Sequence, residues 1–331
     1  MKIRVAQFGL GPIGQACVKV LLQKSRVELV GAIDIDPAKS GRDVGEVCGL
    51  KTPIGASVRS DAQAALAEWR PQVVVHTTSS FLDKIETQLA EIIRNGAHVV
   101  SSSEELFYPF ERDLEFCARI DNLAKQHNVA VVATGVNPGF TMDVLPLCLT
   151  GVCTNVKAIK ISRIGDASPR RLPFQQKIGA GMTRAEFKKR LAAGGFGHIG
   201  LRESAQIVAQ TLGWKIESYK GTLQPVLATK RVKTRFLTVE KGQVTGIHQT
   251  LRCKIAGKDA LVFDWMMYVG AKESYDGVDI IGDPPVNMRI EGGVFGDTGT
   301  IGALVNTVPK VLHAAPGLRT MADLPVPHVF L

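Results

Sequence analysis

Two consecutive carboxylates, Glu104 and Glu105, come shortly after an apolar run, Ala97 to Ser101 (AHVVS), that reads as a buried strand. Ligands of open α/β sheets bind at the carboxyl ends of strands, so charge placed there points to chemistry rather than to stability. A carboxylate in that position can take a proton from a substrate ammonium, which leaves a neutral amine whose carbon can release hydride. It can then stabilise the iminium cation that forms. In the opposite direction the same group steers ammonia onto a ketone and discharges the resulting carbinolamine. The competing reading is that one or both glutamates cap the turn running into Tyr108-Pro109.

A hydride needs an acceptor, and the first residues of the chain supply a place for one. Ile3 to Phe8 reads as a strand and leads directly into Gly9-Leu10-Gly11-Pro12-Ile13-Gly14. In this spacing Gly9 permits the tight turn, Gly11 lets backbone approach a pyrophosphate, Gly14 allows close packing of helix on strand, and the helix N-terminus offers N–H donors. With 33 glycines in the chain such a spacing also arises by chance. The strand before it and the amphipathic stretch Gln15 to Gln23 after it give it meaning. A second apolar run, Val27 to Ile33, ends at Asp34, roughly 20 residues after the third glycine, where an acidic side chain receives the adenosine ribose hydroxyls. Asp34-Ile35-Asp36 is followed by Lys39, Ser40 and Arg42, which either bind a 2′-phosphate or are solvated loop charges, so NAD and NADP both stay open. Gln72 to Thr77 is a β-branched run, and Thr77, Thr78, Ser79 and Ser80 stand at its carboxyl end as cofactor contacts or as caps for a helix from Leu82 to Asn95.

The elements that must hold these residues alternate strand and helix. After the helix ending at Asn95-Gly96 and the strand before the glutamates comes a helix from about Glu111 to His127, then a strand from Val129 to Thr134. This is the pattern of a Rossmann-type doubly wound parallel sheet. Beyond Gly151 the texture changes. Val156 to Arg163, Tyr219 to Pro225, Val244 to Ala256 and Ala260 to Val269 read as closely spaced strands, with helices at about Thr183 to Ala193 and His198 to Leu212. The expectation is a second, α+β domain on a mixed, largely antiparallel sheet. A helix from Thr300 to His313, capped by Asp297-Thr298, should return to the first domain. The expected division is therefore 1–137 with about 298–331 for the dinucleotide and 138–297 for substrate and dimerisation, hinged near Asn137-Pro138-Gly139.

Composition narrows the partners. The 331 residues are 45% hydrophobic and 21% charged, enough for a substantial core. No run approaches the roughly 20 apolar residues of a membrane span, and the N-terminus enters a strand without a leader pattern, so a cytoplasmic protein is expected. A net charge of +9 is spread out and aromatic content is 6%, which argues against nucleic acid and suits attraction of an anionic cofactor. The six cysteines have no CxxC pairing, and no metal site is expected.

The chain resembles the 2,4-diaminopentanoate dehydrogenases and the native NAD(P)H-dependent amine dehydrogenases, within the wider dihydrodipicolinate reductase-like group. The resemblance rests on Gly9-Leu-Gly11-Pro-Ile-Gly14, Ala32-Ile-Asp34-Ile-Asp36-Pro37, Ser103-Glu104-Glu105-Leu-Phe-Tyr108-Pro109, Gly135-Val-Asn137-Pro-Gly-Phe140, Gly197-His198-Ile-Gly200, Gly296-Asp297-Thr298 and Leu304-Val-Asn306. It implies reversible conversion of an amine and NAD(P)+ to a ketone, ammonia and NAD(P)H. It also implies that one glutamate of the pair is the catalytic carboxylate, assigned to Glu104 with Glu105 as the fallback, and that Asn137 and Asn306 join the cofactor contacts. The histidine-rich stretch of dihydrodipicolinate reductases proper is missing. Arg163-Ile-Gly-Asp166-Ala-Ser-Pro-Arg170-Arg171 stands in that region instead, which argues against dihydrodipicolinate as substrate.

A substrate carboxylate would need a cation. Arg163, at a strand end, is the candidate, with His198 as a neighbouring donor; the alternatives are an ordinary ion pair and a capping histidine. Phe140, Thr141 and Met142 either line an apolar pocket or pack in a core. The second-domain sheet should present a face to a second copy, giving a homodimer. Two other readings stay in view: an imine or carbonyl reductase on the same scaffold, and a protein that senses NAD(P) without chemistry. The glutamate pair separates the last from an enzyme.

Overall fold

The computed structural model describes residues 2–331. The chain forms two compact units, Met1–Phe140 with Phe295–Leu331, and Thr141–Val294.

The first unit opens with β1 (Ile3–Phe8), α1 (Pro12–Leu21), β2 (Val27–Ile33), α2 (Val44–Val47), β3 (Val58–Arg59), α3 (Ala62–Trp69), β4 (Val73–His76), α4 (Leu82–Arg94), β5 (His98–Ser101), α5 (Leu114–Gln126) and β6 (Ala130–Ala133). The strands are short and β-branched, and β4 and β6 are buried at every residue, as parallel strands covered on both faces must be. Helix starts are set by side chains: Asp61 accepts from the Ala64 amide to open α3, and Asp113 accepts from the Phe116 amide to open α5. The Asp113 cap makes α5 begin three residues later than the apolar pattern alone suggests.

The second unit contains α6 (Val144–Thr150), β7 (Asn155–Asp166), α7 (Leu172–Lys177), α8 (Arg184–Ala192), α9 (Leu201–Thr211), β8 (Ser218–Leu227), β9 (Val232–Lys233), β10 (Thr238–Val239), β11 (Val244–Ile255), β12 (Lys258–Tyr268), β13 (Tyr275–Asp283) and β14 (Val286–Glu291). The chain then completes the first unit with α10 (Gly296–Val311) and β15 (Gly317–Arg319).

The first unit's seven strands run in the order β15-β6-β5-β4-β1-β2-β3, with every pairing parallel. The chain winds outward from β1 to β3, then restarts beside β1 with β4 and proceeds the other way. The topological switch point therefore lies at the carboxyl ends of β1 and β4, where this architecture binds ligands. Helix α10 packs on α1, β4, β5 and β6. It starts at Gly296 with Phe295 in the capping position and no side-chain cap. Asp297 and Thr298 thus belong to its first turn, a correction to the cap expected of them.

The second unit's main sheet has the order β14-β13-β7-β12-β11-β8, and only the β7–β12 pairing is parallel. Alternation sends Ile159 and Ile161, Val278 and Ile280, Leu261, Phe263 and Trp265 to one buried face, which α9 and α6 cover. The other face carries half-buried Ser162, Ile164, Val262 and Met266. Cys17, Cys48, Cys117 and Cys253 are buried free thiols, Cys153 is partly exposed and Cys148 exposed. Among the described residues no helix is long and apolar enough to cross a membrane.

Candidate active site

The glycine turn lies at the switch point. Gly9 has φ +90°, open to glycine without strain, and a Cβ there would stand 2.8 Å from the Thr77 carbonyl oxygen. A Cβ at Gly14 would collide with the Gly9 carbonyl, so helix and turn meet through hydrogen only. At Gly11 a Cβ would meet nothing within 4 Å. Gly11 caps α1 without a side chain and Pro12 follows at the first helical position, which leaves the helix N-terminus open for a phosphate. These residues fit a dinucleotide.

At the end of β2, Asp34 accepts the Leu10 amide at 2.7 Å, the Asp36 amide at 2.9 Å and the Lys39 ammonium at 3.1 Å. Burial pushes the Asp34 carboxyl up, but the two amides and Lys39 more than offset it, and the group sits below its ordinary value. Lys39 also reaches Asp36 at 3.4 Å; burial lowers its pKa, the two carboxylates raise it, and the rise prevails. Ile35 between them is 83% exposed, an apolar surface beside the two carboxylates. The hydroxyls after β4 are largely committed within the protein. Thr77 donates to the Gly9 carbonyl at 3.0 Å and accepts from Gln7 at 2.9 Å, Thr78 donates to Gln88 at 2.7 Å, and Ser79 accepts the Phe81 amide at 3.3 Å. Ser80 gives its carbonyl to the Glu105 amide. Thr77 thus serves as a fastener between β1 and β4, while the exposed Thr78 hydroxyl reaches both Gln88 and, at 2.9 Å, His76 Nε2.

The two glutamates occupy different environments. Glu105 Oε2 accepts the Leu82 amide at 3.0 Å, at the start of α4, while Oε1 pairs with Arg112 at 2.9 Å; its side chain is 12% exposed. Glu104 precedes a 3-10 turn, Glu105–Phe107, and makes no side-chain cap to it. Among the described residues its carboxylate has no hydrogen bond or ion pair. It borders a cavity of about 50 Å³ together with Ser103, Phe107, Thr134, Asn137 and Thr300. Behind it, His76 is fully buried, with Nδ1 2.9 Å from Ser101 Oγ and Nε2 2.7 Å from Gln88 Oε1. Burial drives His76 down to about 4, so it is a neutral imidazole near neutral pH. One proton assignment satisfies the set: Nε2–H donates to Gln88, Ser101 O–H donates to Nδ1, and Ser101 Oγ accepts the Ser103 amide at 3.1 Å. From the other side, Thr300 Oγ1 accepts the Val136 amide at 3.3 Å.

In the second unit, Arg163 is 6% exposed and internally engaged. Nη1 lies 2.7 and 2.8 Å from the two Asp276 oxygens and 3.2 Å from Thr141 Oγ1, and Nη2 donates to the Val294 carbonyl at 2.7 Å. This is a buried ion pair, not a free clamp for a substrate carboxylate. Thr141 and Met142 are also buried, which favours core packing over a pocket wall, whereas Phe140 in the first unit is half-buried. His198 stacks on Trp265 at 4.8 Å between ring centroids, and its backbone exchanges two hydrogen bonds with the Gln249 side chain. Burial and then the Lys177 and Arg163 charges push it down to about 3, so it is neutral. Asn306 on α10 accepts the Phe330 amide at 3.4 Å and so steadies the C-terminal segment.

The model of the 2,4-diaminopentanoate dehydrogenase C-terminal domain matches residues 140–331, and that of the dihydrodipicolinate reductase N-terminus matches 3–103. The chain is 32% identical to 2,4-diaminopentanoate dehydrogenase of Acetoanaerobium sticklandii, over 100% of its own length and 95% of the relative. It belongs to the 2,4-diaminopentanoate dehydrogenase family. An amine dehydrogenase of Streptomyces virginiae is 24% identical over 98% of this chain and 96% of that one. The solved amine dehydrogenase of Mycobacterium smegmatis superimposes with a TM-score of 0.86 at 25% identity, covering 100% of this chain and 98% of that chain. As a member of the 2,4-diaminopentanoate dehydrogenase family the chain is an NAD(P)-dependent oxidoreductase.

Within this member of the 2,4-diaminopentanoate dehydrogenase family, the structure gathers Glu104 and Asn137 around one cavity and Asp34, Asp36 and Lys39 around another point of the same unit. It also adds residues that the sequence pattern did not single out as functional: His76, Ser101, Ser103, Thr134 and Thr300. Ser103 stands beside the glutamate pair, and His76 closes a β-branched strand at the switch point; polarity in such a strand is the available sign.

Proposed function

We propose that the protein catalyses reversible oxidative deamination of a small amine. An alkylammonium, NAD(P)+ and one water give a ketone, an ammonium ion, NAD(P)H and one proton, and the reverse reaction makes the amine. The observation that carries this reading is the Glu104 carboxylate, unpartnered beside a cavity in the unit that bears the dinucleotide turn. Gly9 to Gly14 and the N-terminus of α1 would hold the pyrophosphate, Asp34 the adenosine ribose, and Ile35 one side of the adenine. The nicotinamide supplies hydride exchange.

Glu104 takes a proton from the substrate ammonium, freeing the nitrogen lone pair that drives hydride from carbon. Once that proton has passed to solvent, the carboxylate faces the iminium and stabilises its charge. In the synthetic direction it accepts a proton from nitrogen as the C–N bond forms, then returns it to the departing hydroxyl. The buried His76–Ser101 pair holds the Ser103 amide and thereby the backbone leading into Glu104. Glu105 fixes the same turn through Leu82 and Arg112. Lys39 sets cofactor choice: its ammonium serves the carboxylates when a ribose hydroxyl is present and a 2′-phosphate when one arrives. Two copies pair through the half-buried face of the second-unit sheet, a state that light scattering reads directly.

The test is oxidation of NADH and NADPH with a panel of small ketones and 4-oxo acids, with and without a high ammonium concentration. Ammonium-dependent oxidation is expected. Oxidation that ignores ammonium would make the protein a carbonyl reductase and end the proposal.

A further inference from the structure

Ser103 and Thr134 border the Glu104 cavity, and both residues are almost wholly buried, at 1% and 3% exposure. Among the described residues their hydroxyls have no hydrogen-bond partner. A buried hydroxyl without a partner costs free energy, and native chains rarely retain two of them side by side with an unpartnered carboxylate. One small polar occupant would satisfy all three. The cavity, about 50 Å³, exceeds the roughly 10–15 Å³ that one water needs by the same measure, so it has room for a molecule of water size. Ammonia has that size.

The chemistry selects between possible occupants. Hydroxyl oxygens and a carboxylate are all acceptors, a set that matches the several N–H donors of ammonium and ammonia. A ketone oxygen, which only accepts, would draw on the hydroxyl hydrogens and be repelled by Glu104. The other polar side chains of the lining are Ser102, Asn137 and Thr300, while Phe107 and Pro138 limit its size. We infer that Ser103 and Thr134, with Glu104, form the seat of the reaction's nitrogen, binding ammonium before the ketone is attacked and releasing it after the amine is cleaved. Glu104 takes one proton there and leaves ammonia. The nitrogen lone pair forms the C–N bond while the carbonyl π pair moves to oxygen, which takes the proton from Glu104; the carboxylate then takes a second proton from the attached nitrogen and gives it to the hydroxyl, which leaves as water with the iminium behind. This rests on the amine dehydrogenase reading above.

Ser103→Ala and Thr134→Val remove the hydroxyls with little change of volume. Steady-state kinetics in the synthetic direction should show the KM for ammonium raised about tenfold in each variant and further in the double variant, as expected for a lost hydrogen bond in a buried polar site. The KM for the ketone should stay within about twofold, as should the NADPH Kd from fluorescence titration. An ammonium KM within about twofold of wild type in the double variant overturns the inference. A parallel rise in all three constants in the double variant would mean a distorted site, and Ser103→Ala alone, the smaller change, then decides: an ammonium KM within about twofold of wild type in it overturns the inference, and a selective rise supports it. Absence of any ammonium-dependent turnover in the wild type is a separate result, which removes the function itself.

Discussion

Glu104→Gln and Glu105→Gln should damage different properties of the protein, although the residues are neighbours. At 104, glutamine keeps the size and one acceptor oxygen but cannot take a proton, so turnover should fall by about 10²–10⁴, or about 3–5 kcal/mol in the barrier. The Glu104 carboxylate makes no hydrogen bond or ion pair among the described residues, so its loss should leave melting temperature and cofactor affinity unchanged. At 105, both oxygens are engaged, one by the first amide of α4 and one by Arg112. Glutamine can still accept from Leu82, but the charge that faces the helix N-terminus and Arg112 is gone. Arg112 is 44% exposed, so the ion pair contributes at most about 0.5 kcal/mol, and the helix end contributes about 0.3–1 kcal/mol, so the sum is about 0.5–1.5 kcal/mol. At about 2–4 °C per kcal/mol, the melting temperature should drop by about 1–6 °C. Steady-state rates, thermal unfolding and NADPH fluorescence titration on the three proteins decide it. A Glu104→Gln enzyme that retains more than about a tenth of wild-type turnover would refute the assignment. A folded, inactive Glu105→Gln enzyme with unchanged melting would transfer the acid/base role to Glu105.

Two further outcomes test the surroundings. Lys39→Ala should weaken NADPH binding about tenfold, because the approaching 2′-phosphate would meet two carboxylates and no cation, while NADH binding changes by less than about threefold; equal effects on both cofactors would contradict the role given to Lys39. His76 is held near 4 by burial, below the ordinary 6.5, so the unfolded chain binds its proton first as pH falls. Its contribution, about 3 kcal/mol at most, is fully present above pH 6.5 and is lost as pH falls toward about 4. His198, held near 3, acts with the same sign. The urea midpoint should therefore decline between pH 6.5 and 4, less steeply in His76→Asn; an identical slope in the variant would show that His76 is not the group responsible.

Much of the first unit was legible because its signals are local. A β-branched run such as Val73–His76, a glycine turn at fixed spacing and an acid at the end of β2 each carry their own reason within a few residues. The second sheet was legible in class but not in extent. The run Tyr275–Glu291 forms two strands whose half-exposed residues and prolines mask the alternation, and in the first sheet the edge strand β15 escapes notice because it is only three residues long. Arg163 shows the sharper limit. A cation at a strand end reads as a ligand until Asp276, 113 residues away, is brought to 2.7 Å by the β7–β13 pairing. Sequence spacing holds no trace of such a partner. The same holds for Glu104 and Glu105, which sequence could pair but not separate, since the Leu82 and Arg112 contacts that set Glu105 apart exist only in three dimensions.

That separation explains why two carboxylates stand side by side. A group that must exchange a proton works best when its own oxygens are left unsatisfied by protein and its backbone cannot drift. Both conditions cannot be met by one side chain, because any hydrogen bond that anchors the carboxylate also occupies it. Here the anchoring is delegated. Glu105 ties the turn to α4 and Arg112, Ser101 ties the Ser103 amide to buried His76, and Thr300, in the cavity lining, accepts the Val136 amide. On the proposed mechanism, these neighbours hold the frame and leave Glu104 as the carboxylate that substrate nitrogen completes, and the Ser103 and Thr134 hydroxyls that line the same cavity follow the same logic.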